Sequence, residues 1–197
     1  MRRCGFPKPA AGIRRQISDS GSGRISVQHR KSMSSAAKHP VRRRKDVKSE
    51  KYEKMAVKYY TDDCSYRLPQ KRLTAEWLRR VAEAEGYELG DVSYIFCSAQ
   101  RLLEMNRQYL GHDYFTDVIT FDYSDRKGAR VISGDIFIDV ETVADNARLY
   151  GFPTLQEMRR VVVHGVLHLC GQGDKTPRTN AQMHRKEDKY LKFWEEQ

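Results

Sequence analysis

Hydrophobic positions are sparse and without period up to Lys54. From Met55 onward they fall into alternating and helical patterns. Ala56–Thr61 carries β-branched and aromatic side chains and predicts a strand. Thr74 is placed to open a helix over Ala75–Glu85, with Trp77, Leu78 and Val81 on one side. Val92–Cys97 reads as a second strand. Ser98 is a cap for a helix running to the neighbourhood of Tyr109 that buries Leu102, Leu103 and Met105. Asp117–Phe121 and Val131–Asp139 read as two further strands, with the polar Ser124–Gly128 as a hairpin loop between them. Helices follow over Val140–Tyr150, from Thr154 to near Leu169, and from Asn180 to near Glu195. This order predicts an α+β fold: a single domain with a small mixed β-sheet packed by some five helices.

Charge divides the chain at the same place. Residues 1–54 hold 16 Lys+Arg against 4 Asp+Glu, a net of +12; subtracted from 36 and 26, this leaves 20 basic and 22 acidic residues, a net of −2, for 55–197. The basic surplus therefore belongs to the first segment, and overall charge is no argument for RNA binding by the folded part. Residues 1–54 are rich in Ser, Gly, Arg and Lys and lack the apolar area that offsets ordering entropy, so disorder is expected there. Three readings of this basic extension compete: an RNA-phosphate tail, an organelle transit peptide, or residues upstream of a true start at Met55. Residues 55–197 are expected to be the functional domain. No apolar run is long enough to span a membrane. Cys4, Cys64, Cys97 and Cys170 are scattered with no C-x-x-C pair, which points to reduced thiols in a cytoplasmic protein.

The chemistry concentrates in the stretch from Val163 to Asp174. His164 and His168 are four apart on a predicted helix, so both imidazoles project from one face. Gly171 is positioned to end that helix, and the returning chain brings Asp174 toward the same point. Two imidazoles and one carboxylate form a three-ligand set with an open position, the arrangement of a catalytic zinc centre holding one ion. His184 is the competing third ligand, ranked lower because it requires a particular packing of the last helix. A histidine pair at this spacing also arises by chance, but neutral imidazoles among Val161, Val162, Val163, Val166 and Leu167 need a partner. The residue after His164 is Gly165, so the general base of H-E-x-x-H peptidases is missing and activation of water falls to the ion.

Three blocks resemble the YbeY family of bacterial endoribonucleases, over nearly all of Met55–Gln197. They are Asn106-Arg107-Gln108-Tyr109 with Thr116–Phe121, then Gly134-Asp135-Ile136, then His164 to Asp174. The last is the specific one, following H-G-x-L-H-L-x-G from His164 to Gly171. The resemblance implies a small mixed sheet with helices and cleavage of single-stranded RNA. It also implies a role in maturing the 3′ end of small-subunit rRNA and in ribosome quality control, with the small ribosomal subunit as partner. Two departures stand out. Asp174 occupies a third-ligand position that is usually histidine, which adds negative charge and weakens the ion as a Lewis acid. Leu110 stands where an arginine is usual, leaving Arg107 and His112 as nearby candidates for a phosphate contact. Asp117 and Asp135 are candidates to orient a ligand histidine, or simply turn residues, and the resemblance favours orientation for Asp117. Two rival readings are a ribosome-assembly factor with a structural metal, which four protein ligands would indicate, and a metallohydrolase of a non-nucleic substrate.

Overall fold

β-Branched and aromatic residues build a four-stranded sheet whose order is β1-β2-β4-β3, formed by β1 (Val57–Thr61), β2 (Glu88–Cys97), β3 (Val118–Asp122) and β4 (Val131–Asp139). The first, second and fourth run parallel, while β3 pairs antiparallel with β4 as the edge of the hairpin. The structure is a computed structural model describing residues 57–125 and 128–195. The basic extension over 1–54, Cys4, and the middle of the 124–128 hairpin loop lie outside the described residues.

Five α-helices pack on this sheet: α1 (Lys71–Ala84), α2 (Ala99–Met105), α3 (Val140–Tyr150), α4 (Thr154–Leu169) and α5 (Pro177–Glu195). Each boundary has a local cause. Helix α1 starts at Lys71 rather than beyond Thr74, because Gln70 takes a left-handed conformation and the Thr74 hydroxyl donates back to the Gln70 carbonyl. Thr74 thus sits inside the first turn. Ser98 accepts from the Arg101 amide and starts α2, as expected. The helix expected to reach Tyr109 changes character at Asn106: residues Asn106–Leu110 form a π-helical turn that ends where Gly111 adopts φ 67°. Buried Asp139 caps α3 by accepting from the amides of Glu141 and Thr142. Pro177 opens α5 earlier than Asn180, suited to a first helical position that needs no amide donor.

The main core lies on one face of the sheet, under α1, α4 and α5, with Trp77, Tyr94, Ile136, Val162 and Leu167 all fully buried. A smaller cluster of Cys97, Leu102, Met105 and Ile119 fills the other face beneath α2. Burial pushes the Cys97 thiol up to about 12, so it behaves as a small hydrophobe rather than a nucleophile. Two buried hydrogen bonds fasten the layers: Trp77 Nε1 donates to the Tyr190 carbonyl at 3.0 Å, and the Tyr94 hydroxyl donates to Val162 at 2.8 Å. The second holds α4 against β2 two residues before His164.

Candidate metal centre

Helix α4 is apolar on most sides. Val161, Val162, Val163, Val166 and Leu167 are buried, and Gly165 lies so close to β4 that an added Cβ would stand 2.7 Å from Ile136 Cγ2. That close approach sets His164 and His168 beside the sheet. Their rings are 4.5 Å apart with planes at 83°, and the two Nε2 atoms face each other at 2.9 Å. The helix then stops: the Gly171 amide donates to the His168 carbonyl and the Gln172 amide to Leu167, with Gly171 at φ 88°. The reversal carries Asp174 back, placing its Oδ2 3.9 Å from His164 Nε2 and 3.8 Å from His168 Nε2.

One nitrogen from each histidine and one oxygen of Asp174 all lie within 4.8 Å of one another. The other carboxylate oxygen, Asp174 Oδ1, is buried and has no hydrogen-bond partner among the described residues. An unsatisfied buried carboxylate oxygen is unfavourable by itself. The two facing Nε2 atoms can share at most one proton between them. A divalent cation where Oδ2 meets the two nitrogens would use their lone pairs and neutralise the buried carboxylate, so this donor set fits a metal, and its two nitrogens and one oxygen suit zinc.

The electrostatics are split between the two rings. Burial disfavours a charge on His164, but the Glu187 hydrogen bond and the charges of Glu187, Asp117 and Asp174 outweigh it and raise its proton affinity. Burial and the neighbouring His164 push His168 down to about 3, despite a hydrogen bond to the Gln172 backbone. The 2.9 Å approach of the two Nε2 atoms leaves room for a single proton between them. Glu187 itself is held well below the usual carboxylate range: burial works against its ionisation, and the hydrogen bonds from His164 and His184 overcome this.

Glu187 is the functional residue that sequence patterning missed. It is 1% exposed on α5, its Oε1 is 2.7 Å from His164 Nδ1, and its Oε2 meets His184 Nδ1 at 3.1 Å and Arg160 Nη1 at 3.2 Å. The sole available signal was a glutamate three residues after His184 on an amphipathic helix. His184 accordingly does not join the ligand group among the described residues; it faces Glu187 instead. Asp117 lies just before β3, with its carbonyl accepting from the Asp139 amide, and its charge is felt by His164. Asp135 receives the Tyr123 hydroxyl at 3.3 Å, on the sheet face opposite Gly134 and Ile136, away from α4. Arg107 pairs with Asp113, and His112 Nδ1 meets the Tyr114 hydroxyl at 2.9 Å, so neither reaches the His–Asp group by these contacts.

The family model described as Endoribonuclease YbeY matches residues 56–195. A Bacteroides thetaiotaomicron protein named Endoribonuclease YbeY is 47% identical over 137 residues, covering 70% of this chain and 98% of its own length. The Parabacteroides distasonis protein of the same name is 44% identical over 137 residues, covering 70% and 94%. One from Cytophaga hutchinsonii is 45% identical over 133 residues, covering 68% and 92%. The chain belongs to the YbeY family.

Proposed function

We propose that this chain is a zinc-dependent endoribonuclease that cuts single-stranded RNA, acting in the cytoplasm on the 3′ end of small-subunit rRNA. Residues 55–197 are the catalytic domain, preceded by a basic extension, and the small ribosomal subunit is the partner. The observation that carries this reading is the buried Asp174 Oδ1 without a partner, beside two facing imidazole nitrogens. The names of its relatives, each an endoribonuclease, supply the reaction class.

Held by His164, His168 and Asp174, a zinc ion would supply Lewis acidity toward a phosphodiester oxygen and an activated water at neutral pH. Glu187 accepts from His164 Nδ1 and so fixes the tautomer that leaves Nε2 free to bind. The Gln172 backbone does the same for His168. Asp174 adds a negative charge that a histidine would not. Asp117 adds its charge to the same ring, and we assign it an orienting role. Gly165 leaves no room for a general base beside His164, because Ile136 occupies the space. Arg107 and His112 are the candidates for a phosphate contact, each now paired, with Asp113 and Tyr114 respectively.

The test is metal analysis and cleavage of single-stranded and duplex RNA by the full chain, beside His168→Ala. One zinc per chain with single-strand cleavage that the variant loses supports the proposal. Bound metal without cleavage of any RNA would overturn it.

A further inference from the structure

The loop 111–117, between the π-helical turn and β3, holds an open ring in a fixed frame. Buried Asn106 ties the loop down twice: its carbonyl accepts from the His112 amide at 3.1 Å, and its Nδ2 donates to the Tyr114 carbonyl at 2.8 Å. The His112 and Tyr114 rings stack with centroids 5.2 Å apart. Thr116 is buried, its hydroxyl donating to the Val118 carbonyl, and the Asp117 carbonyl accepts from the Asp139 amide. Phe115 stands between these anchors, yet it is 54% exposed and its ring meets no other ring among the described residues. A lone exposed aromatic is ordinary; the place of this one is not. The Tyr94 hydroxyl of β2 bonds the Val162 carbonyl, so β2 lies on the Val162 side of α4. The sheet order puts β3 beyond β4 on the other side, and at 3.6 residues per turn His164 and His168 project away from Val162. The histidines therefore stand on the β3 side, above the strand that Phe115 leads into, and the charge of Asp117 is felt at His164. The other open rings lie elsewhere. Tyr60, Tyr109 and Tyr123 belong to the opposite sheet face, with Phe121 and Asp135, and Phe152 precedes the first turn of α4, at the far end from the histidines.

We propose that Phe115 stacks a base of single-stranded RNA flanking the phosphate held at the metal centre, and so favours single strands over duplex. The inference rests on the ribonuclease reading above. Residues 55–197 carry a net charge of −2, so the folded part has no general attraction for a phosphate backbone. Stacking on an aromatic ring is the other sequence-tolerant source of affinity, because every base has a π-face. A base in a duplex is already paired and stacked, whereas an unpaired one can splay out onto the ring. The frame around Phe115 adds to this. With Asn106, Thr116 and the Asp117 carbonyl fixing the backbone, little ordering entropy is lost when the ring takes up a base. Phe115 touches no reacting atom in this arrangement; it sets where the strand lies and which strands are accepted.

The experiment uses the full chain with Phe115→Ala, Phe115→Leu and Phe115→Tyr, each checked for an unchanged melting curve. Binding of an unstructured oligoribonucleotide and of a duplex is measured by fluorescence anisotropy with chelator present, in about 0.3 M salt to screen the basic residues 1–54; cleavage is followed with zinc. Expected in the Ala and Leu variants is about a tenfold loss of single-strand affinity and a matching rise in KM, with kcat kept and duplex binding unchanged. The salt dependence should keep its slope, since no charge is removed, and Phe115→Tyr should restore both quantities. An abasic position moved along the oligonucleotide should at one place weaken wild-type binding as much as Phe115→Ala does, and have no further effect in that variant. Unchanged affinity and KM in Phe115→Ala overturn the proposal, as do a Leu variant that binds like wild type and abasic losses that add to those of Phe115→Ala at every position. RNA bound through Phe115 but never cut sinks the ribonuclease reading and keeps the stacking site; cleavage with unaltered KM in Phe115→Ala does the reverse. A chain that binds no RNA overturns both.

Discussion

Glu187 grips His164 across the α4–α5 interface, Oε1 to Nδ1 at 2.7 Å, from a position only 1% exposed. The contact decides which imidazole nitrogen is available. With the proton on Nδ1 donated to the carboxylate, Nε2 presents its lone pair toward His168 and Asp174. The same carboxylate gathers His184 and Arg160, so α5 acts as the brace of a candidate site whose His164, His168 and Asp174 all lie on α4 and its loop.

Removing that brace should weaken the metal more than the fold. Glu187→Ala is expected to lower zinc affinity about 10–100-fold, with Glu187→Gln losing less because its amide oxygen still accepts from Nδ1. Chelator competition followed by fluorescence measures both. Equal affinity in wild type and Glu187→Ala would show that His164 is held without it.

Metal removal should lower thermal stability through Asp174. Zinc at about 100 times its Kd adds about 2.7 kcal/mol by binding only the folded state. Asp174→Asn supplies an amide where the unsatisfied oxygen stands, so its metal-free melting temperature should equal or exceed wild type while its response to zinc disappears. Melting curves with zinc and with chelator decide it; a zinc response kept by Asp174→Asn would remove Asp174 from the ligand set.

Gly165 is required by packing. In Gly165→Ala the new methyl would meet Ile136 Cγ2 at 2.7 Å and Cδ1 at 2.9 Å. Overpacking of this kind costs about 1–3 kcal/mol and would push α4 outward. Ile136→Val removes one of the two close atoms and should recover part of that loss in the double variant, read as a coupling energy from denaturant curves. Strict additivity would place the strain elsewhere.

A pH effect is expected from Glu85, which meets Lys186 at 2.5 Å and the Tyr190 hydroxyl at 2.6 Å. Burial opposes its ionisation, but the Lys186 and Tyr190 hydrogen bonds and the Lys186 and Lys189 charges prevail and lower its pKa. A lowered carboxylate contributes stability above its unfolded value, about 4.3, and loses it as pH falls through the folded value. Glu85→Gln should therefore be less stable than wild type at pH 7, by about 1–3 kcal/mol, with the gap closing below pH 4. A gap that is constant from pH 7 to pH 3 would contradict this.

Local chemistry made the His164–His168–Asp174 cluster legible. A four-residue histidine spacing and a glycine stop are fixed by helix geometry alone, and they also put Asp174, not His184, in the group. What escaped depends on partners distant in sequence or on backbone choices that share a pattern. Glu187 matters only once α5 docks on α4. Thr74 has the side chain of a cap, yet Gln70 turns the chain first and draws Thr74 into the helix. Residues Asn106–Leu110 satisfy a helical period equally well as an α-helix or a π-turn. Gly90 breaks the apolar pattern of β2 and concealed its start at Glu88, because a side chain there would collide with Ser133 and Val131.

The candidate metal triangle also bears on how the molecule is assembled. His164, His168 and Asp174 are all drawn from one helical turn and the loop after it. The bond from Trp77 to Tyr190, in contrast, joins positions 113 apart. Closing a loop of about ten residues takes on the order of 10–100 ns, far faster than pairing β1 with β2 across the length of α1. A cation can thus be captured early, by a nascent α4 hairpin, before the sheet is complete. Its contribution would then appear in the folding rate and not solely in the rate of unfolding.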